Sequence, residues 1–164
     1  MLSLRPLTAV DIPRIVELND AAHPAVPITS EREMADLLEL AGFTFAAVAG
    51  DDLQGFLIGM TPGSTYSSEN YRFFDGRGVD YLYIDRIVID PTVRGAGIGR
   101  TLYTAVFELA REQGRTEVDC EVNIEPPNPE SLAFHARMGF ERVGEQETKG
   151  GSVEVALLAA PVRD

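Results

Sequence analysis

Asp90-Pro91-Thr92-Val93-Arg94-Gly95-Ala96-Gly97-Ile98-Gly99-Arg100 is the stretch on which the reading of this chain turns. In the residues before it, Tyr81, Tyr83, Asp85, Ile87 and Ile89 alternate with Leu82, Ile84, Arg86 and Val88. Both sets are apolar apart from Asp85 and Arg86, the pattern of a strand covered on both faces and therefore central in its sheet. After it, Ile98, Leu102, Ala105, Val106 and Leu109 recur at helical spacing, and Gly114 supplies a stop. The sequence thus predicts a strand, a glycine-rich turn and a helix over 97–113. Glycines let the turn tighten and bring its N–H groups close to a ligand. The helix that follows begins with unpaired N–H donors and a partial positive charge. Together these make an anion site, most naturally for a pyrophosphate, bracketed by Arg94 and Arg100. A Walker A loop is excluded because Gly99-Arg100-Thr101 lacks its lysine, and a dinucleotide fingerprint starting at Gly95 would need glycine at position 100.

Working outward, Leu2 and Leu4 alternate with polar neighbours as a short strand. Thr8 with Asp11, and Ser30 with Glu33, mark two helix starts. The His23-Pro24-Ala25-Val26-Pro27 segment separates them. Residues 43–49 and 53–60 read as a hairpin around Gly50-Asp51-Asp52. Residues 61–80 read as a long irregular loop, too long for a plain connector. Its aromatics Tyr66, Tyr71, Phe73 and Phe74 either shape a binding surface or anchor the loop to the core. A strand over 117–123 is stopped by Pro126-Pro127, and Asn128-Pro129 opens a helix that ends at Met138-Gly139. Residues 140–144 and 152–158 read as two final strands around Gly150-Gly151. The order β-α-α-β-β-β-α-β-α-β-β, without repeat or linker, predicts one α/β domain over 1–164: a mixed sheet flanked by helices.

The chain has 164 residues, 45% of them hydrophobic and 24% charged, an ordinary composition for a folded domain. Fourteen Lys and Arg against 26 Asp and Glu leave a net charge of −12. That argues against a nucleic-acid partner, which would need clustered basic residues. It is compatible with a cationic or amine substrate. A single cysteine, Cys120, excludes an internal disulfide and a cysteine-based metal cluster, and two isolated histidines do not make a metal site. The N-terminus lacks the layout of a signal peptide, and no apolar run is long enough to span a membrane, so a cytoplasmic location is expected.

The Arg94-x-x-Gly97-x-Gly99 pattern resembles the acyl-coenzyme A pyrophosphate motif of the GNAT superfamily of N-acetyltransferases. Residues 84–90, the turn and the helix after it resemble that family's motif A. Downstream, Asn128-Pro-Glu-Ser-Leu-Ala-Phe-His135-Ala-Arg-Met-Gly139-Phe140 resembles its pattern of Asn, seven residues, Tyr, then Gly-Phe. The resemblance is to a bacterial branch of predicted acetyltransferases. It implies a mostly antiparallel mixed sheet whose central strands splay apart, and acetyl-CoA as the acyl donor. It further implies that Ile87, Val88 and Ile89 hold the pantetheine arm through their backbone. Arg94, Gly95, Ala96, Gly97, Ile98, Gly99 and Arg100 would hold the pyrophosphate, and Asn128 would contact the arm or cap its own helix.

His135 stands where the family usually has the tyrosine that protonates the leaving thiolate. An imidazolium could donate that proton, an imidazole could act as base, or the ring could only pack beside the coenzyme. Forming an amide requires the amine to lose a proton. In Glu121-Val122-Asn123, Glu121 resembles the catalytic Glu of the ribosomal-protein N-terminal acetyltransferase branch. Asp85 is the alternative base, since a charge inside a central strand is costly unless paired or at a cleft. Arg86 points to the opposite face and is not an automatic partner. Cys120 faces away from Glu121 and reads as a core residue rather than a nucleophile. His23 lies in the region that lines the acceptor side in the family. The implied reaction is direct transfer to a primary amine of a small molecule or peptide, and a homodimer is compatible with the sequence. The competing function is an acyl-CoA-binding regulatory or sensor domain without transfer activity.

Overall fold

The computed structural model of the chain describes residues 1–163. Among the described residues there are seven strands: β1 (Leu2–Arg5), β2 (Phe43–Ala49), β3 (Asp52–Met60), β4 (Tyr81–Ile89), β5 (Glu117–Glu125), β6 (Glu141–Thr148) and β7 (Val153–Pro161). Their order across the sheet is β1-β2-β3-β4-β5-β7-β6. The β1–β2, β2–β3, β5–β7 and β6–β7 pairs are antiparallel, and β4–β5 is parallel. Five helices accompany them: α1 (Ile12–Ala21), α2 (Glu31–Leu40), α3 (Glu69–Asp75), α4 (Ile98–Gln113) and α5 (Pro129–Arg137). The mixed α/β architecture is the one the sequence predicts, and its mostly antiparallel pairing is the one the family resemblance implies. The β4–β5 ladder consists of three pairs, Tyr81 with Glu117, Leu82 with Val118 and Tyr83 with Asp119.

The chain divides into two compact units. The first comprises Met1–Thr61 and Ile84–Ala105. Its helices are set by side-chain chemistry at their starts. The Asp11 carboxylate accepts from the Thr8 backbone N–H (2.8 Å) and takes both Arg5 guanidinium nitrogens (2.8 and 2.9 Å). Those hydrogen bonds, Arg5 first, hold its carboxyl below the usual range. Ser30 and Glu33 form the reciprocal capping box at the start of α2. Ile15, Met34, Phe56, Leu57, Ile58, Ile98 and Leu102 are buried in this unit's core.

The second unit comprises Pro62–Tyr83 and Val106–Asp164. The segment expected to be irregular over 61–80 contains α3, whose first turn is capped by Ser68 accepting from the Tyr71 N–H. Pro62 and Gly63 before Glu69–Asp75, with Gly76 and Gly78 after it, masked a two-turn helix too short to show a clear apolar stripe. Tyr71 and Phe74 are fully buried and the Tyr71 ring meets those of Tyr66, Tyr81 and Tyr83, so these aromatics anchor the segment. β6 is also longer than expected, extending to Thr148. Its polar residues sit on an edge strand paired only with β7, where solvent exposure does not oppose strand formation. The hairpin then turns through Lys149, Gly150 and Gly151, all at positive φ.

Gly59 pairs across the ladder with Phe43, and a Cβ on it would lie 2.0 Å from the Phe43 ring. The ring occupies the space that the missing side chain leaves. Gly59→Ala is therefore expected to destabilise the fold by about 2 kcal/mol through overpacking, read as a lower urea midpoint. Adding Phe43→Leu should recover part of that loss; no recovery would show that the ring is not the obstacle.

Candidate active site

In the first unit, β4 leads into the glycine-rich turn. Asp90 shapes its entry: one carboxylate oxygen accepts from the Thr92 N–H (2.9 Å) and hydroxyl (2.8 Å), and the other from Arg14 (2.9 Å). The Thr92 backbone bond, then its hydroxyl, hold the Asp90 carboxyl below its ordinary value. Gly95 and Gly97 adopt φ of +86° and +80°, and a Cβ on either would meet nothing within 4 Å. Glycine is thus required by the left-handed backbone, and the space beside it is open. Residues Arg94 to Gly97 and Arg100 are exposed, whereas Ile98 and Gly99 are buried as α4 begins. Beneath the turn, a Cβ on Gly55 would approach the Val88 carbonyl oxygen at 3.1 Å and Ile98 at 3.2 Å. Gly55 therefore lets β3 pass close to the strand segment Ile87–Ile89. The result is an exposed glycine-rich turn that leads into a helix N-terminus between two arginines, a setting suited to a diphosphate.

Asp85 and Arg86 do pair, contrary to the expectation from strand alternation. Arg86 Nε lies 3.4 Å from Asp85 Oδ2, and both side chains are nearly buried. The long arginine stem folds back far enough to overcome the opposed directions of their Cβ atoms. Arg86 Nη1 also donates to Asn19 Oδ1 (3.0 Å) and Thr29 Oγ1 (2.6 Å). Asn19 in turn donates to the Pro27 carbonyl and to Asp20. One buried guanidinium thus fixes the connection between α1 and α2. His23, in that connection, is exposed, with Nδ1 3.3 Å from the Val26 carbonyl.

In the second unit, Glu117, Asp119 and Glu121 share one face of β5, while Val118, Cys120 and Val122 turn to the core. Glu121 is half-buried, and the hydroxyl of fully buried Tyr83 lies 2.6 and 2.8 Å from its two carboxylate oxygens. Asp119 is 1% exposed and neither of its oxygens has a hydrogen-bond partner. Arg77 bonds Glu117 at 2.5 Å and comes no closer than 3.9 Å to Asp119. Burial above all, and then the neighbouring Glu117, push the Asp119 carboxyl up to about 9, so it is a neutral acid at neutral pH.

His135 on α5 is 4% exposed and its Nδ1 lies 2.7 Å from the Ser131 carbonyl oxygen, to which it donates. Its ring meets Phe134 and Phe140 edge-on. Burial pulls its pKa below 6.5, more than the Ser131 bond raises it. Both the enclosure and the lowered pKa favour the neutral form of the ring. Asn128 occupies the N-cap position of α5, but its side chain makes no capping hydrogen bond. Cys120 is buried.

A family model described as the acetyltransferase (GNAT) family matches residues 12–140. The chain belongs to this family. Glucosamine 6-phosphate N-acetyltransferase 1 of Oryza sativa subsp. japonica is 29% identical over 141 residues, covering 84% of this chain and 79% of its own. The ribosomal-protein-alanine N-acetyltransferase of Brucella melitensis matches in fold with a TM-score of 0.72 at 20% identity, over 97% of this chain and 99% of that one. A Salmonella typhimurium acetyltransferase, YncA, solved with its cofactor acetyl-CoA, matches with a TM-score of 0.72 at 17% identity, over 100% and 95%. Against several other curated relatives the chain spans between 25% and 43% of their length.

Within this GNAT chain, β4 carries Tyr83 in one unit and Asp85 with Ile87–Ile89 in the other. Four residues stood outside the candidate site read from the sequence: Tyr83, Asp119, and the Asn19 and Thr29 that receive Arg86. For Asp119 the available signal was the acidic alternation Glu117-x-Asp119-x-Glu121. Tyr83 lay two residues before Asp85 on the same strand face.

Two outcomes follow. Arg86→Ala leaves Asp85 unpaired in a buried setting and should cost about 3 kcal/mol, read by chemical denaturation. Folded Asp119 keeps its proton to about pH 9, whereas the unfolded carboxyl releases it near 3.8. Folding therefore takes up a proton in that interval, and stability should fall as pH rises from about 4 to about 9. Urea midpoints for Asp119→Asn should decline less over the same range; parallel curves would show that Asp119 ionises normally.

Proposed function

We propose that the chain is an acetyl-CoA-dependent N-acetyltransferase that acts on a primary amine of a small molecule or peptide, in the cytoplasm. The observation that carries the reading is the turn from Arg94 to Arg100, with its open, left-handed Gly95 and Gly97 leading into α4 in a chain of the GNAT family. Its backbone N–H groups hold the pyrophosphate, and Arg94 and Arg100 add charge. The Ile87–Ile89 backbone takes the pantetheine arm, and the uncommitted Asn128 amide is available to the same arm. Bound acetyl-CoA supplies an activated acetyl thioester.

Glu121 is the general base of this proposal. It accepts the proton that the amine nitrogen gives up as the amide forms. The Tyr83 hydroxyl holds its carboxylate in place without adding a charge. Asp85 is the weaker candidate, because its carboxylate is engaged by the Arg86 guanidinium. His135, neutral and wedged between aromatic rings, packs α5 rather than donating a proton. With Cys120 in the core, transfer is direct and passes through no acyl-enzyme.

The deciding experiment follows free-thiol release from acetyl-CoA against amino acids, amino sugars, aminoglycosides and peptides. Turnover with one class names the acceptor. Coenzyme A binding by calorimetry without turnover across the panel favours the sensor reading. Gly97→Glu should abolish coenzyme A binding by placing a carboxylate and a strained backbone in the turn; tight binding by this variant would refute the motif assignment. Glu121→Gln should lower turnover by about 10²-fold or more while leaving coenzyme A affinity within about twofold.

A further inference from the structure

An arginine 76 residues upstream of Asp90 holds the entry of the glycine-rich turn. Arg14, in the first turn of α1, reaches two places at once. Its Nε donates to the Leu53 carbonyl on β3 (3.2 Å), and its Nη2 donates to Asp90 Oδ2 just past the end of β4 (2.9 Å). The other Asp90 oxygen is left to Thr92, whose N–H and hydroxyl donate to Oδ1 at 2.9 and 2.8 Å. The backbone of Asp90 is fixed as well. Its N–H donates to the Gln54 carbonyl (2.8 Å), and its carbonyl accepts from the Val93 N–H (3.1 Å). Glu17 also pairs with Arg14, and Asp52 comes within 3.7 Å of it; both acids are more than half exposed. From Arg94 to Gly97 the turn itself is exposed, and a Cβ on Gly95 or Gly97 would meet nothing within 4 Å. Its shape is therefore set by its entry and by the start of α4.

We propose that Arg14 is a positioning residue for the acyl donor: by taking one oxygen of Asp90 it fixes the other against Thr92, and so keeps the turn in the shape that receives the diphosphate. The inference rests on the Arg94–Arg100 turn being the diphosphate site. Rotation about the Cβ–Cγ bond exchanges the two oxygens of an aspartate, and that torsion is broad unless something pins it. A guanidinium on one oxygen, itself anchored on the Leu53 carbonyl, pins it with a charge-assisted bond. Without Arg14, Thr92 keeps a carboxylate whose orientation is no longer set. Glu17, Asp52 and Asp90 also lose the cation they share, and their charges then repel one another. Partly exposed ion pairs of this kind add little to stability. The effect falls on binding instead, because order lost from the turn has to be restored when the ligand binds. Arg14 touches no atom of the coenzyme in this role and acts only through Asp90.

Calorimetry with coenzyme A compares the unmodified chain, Arg14→Met, Asp90→Ala and the double variant, with a urea midpoint taken for each. Arg14→Met should raise Kd about fivefold while moving the urea midpoint little. Because Arg14 acts through Asp90, the double variant should bind within about twofold of Asp90→Ala alone. KM for acetyl-CoA should rise with Kd while kcat falls by less than about twofold, a split that general loosening of the fold does not produce. Arg14→Lys keeps a donor and loses the fork, so its Kd should lie between those of the unmodified chain and Arg14→Met. It carries the same comparison should Arg14→Met not fold. Losses that multiply in the double variant overturn the route through Asp90. If Arg14→Met binds coenzyme A within about twofold of the unmodified chain while Gly97→Glu does not bind it, the positioning role is overturned and the turn assignment stands. Tight binding by Gly97→Glu removes the turn assignment and this inference with it.

Discussion

Charge placed inside a sheet has to find a partner or give up its ionisation, and the chemistry of this chain is organised by that constraint. β4 and β5 both carry acidic residues into the interior of their units, with different outcomes. Asp85 meets the Arg86 guanidinium, whose remaining donors reach Asn19 and Thr29. Glu121 remains half-buried and receives the Tyr83 hydroxyl. Asp119, nearly as enclosed as the apolar core, has Arg77 only at 3.9 Å and retains its proton instead. Burial raises the cost of each charge, and the nearest donor decides whether that cost is offset.

The same economy of contact shapes the glycine-rich turn, where the deciding residues are ones without side chains. Gly95 and Gly97 supply backbone angles that other residues rarely adopt. Gly55, on the neighbouring strand, supplies proximity: its missing Cβ allows β3 to approach the Val88 carbonyl and Ile98. Asp90 then fixes the turn's entry through Thr92 and Arg14. The turn is therefore pre-shaped by contacts on its entry side and exposed over Arg94–Gly97. That division favours binding, because little ordering is left for the ligand to impose.

How far this could be read in advance depended on the range of the interaction. The turn, the helix caps at Thr8 and Ser30, and the central strand were legible because each is encoded within a few residues. The α3 helix was not, since its two turns lie between Pro62 and Gly63 on one side and Gly76 and Gly78 on the other, and its stability comes from Tyr71 and Phe74 packing against residues distant in sequence. The Asp85–Arg86 pair was misjudged because strand alternation fixes the direction of Cβ and leaves the reach of a long guanidinium side chain open. Glu121 was legible as a candidate by resemblance, but its partner Tyr83 is 38 residues away, and only the parallel ladder brings them together. Asp119 was missed for the converse reason. An aspartate within an acidic stretch looks like solvated surface until the fold closes over it.

That last point alters what the charge of the molecule says about its acceptor. Counted from sequence, the acids between Glu117 and Glu125 suggest a strongly negative surface inviting a cation. In the fold, Glu117 is balanced by Arg77 and Asp119 is uncharged at neutral pH. The third acid on the inner stretch of that face, Glu121, receives the Tyr83 hydroxyl at both carboxylate oxygens. One carboxylate held by a neutral hydroxyl suits the removal of a proton better than the capture of a polycation, which calls for several exposed charges at once. The count of acids between Glu117 and Glu125 therefore overstates the negative charge that this face of β5 carries at neutral pH.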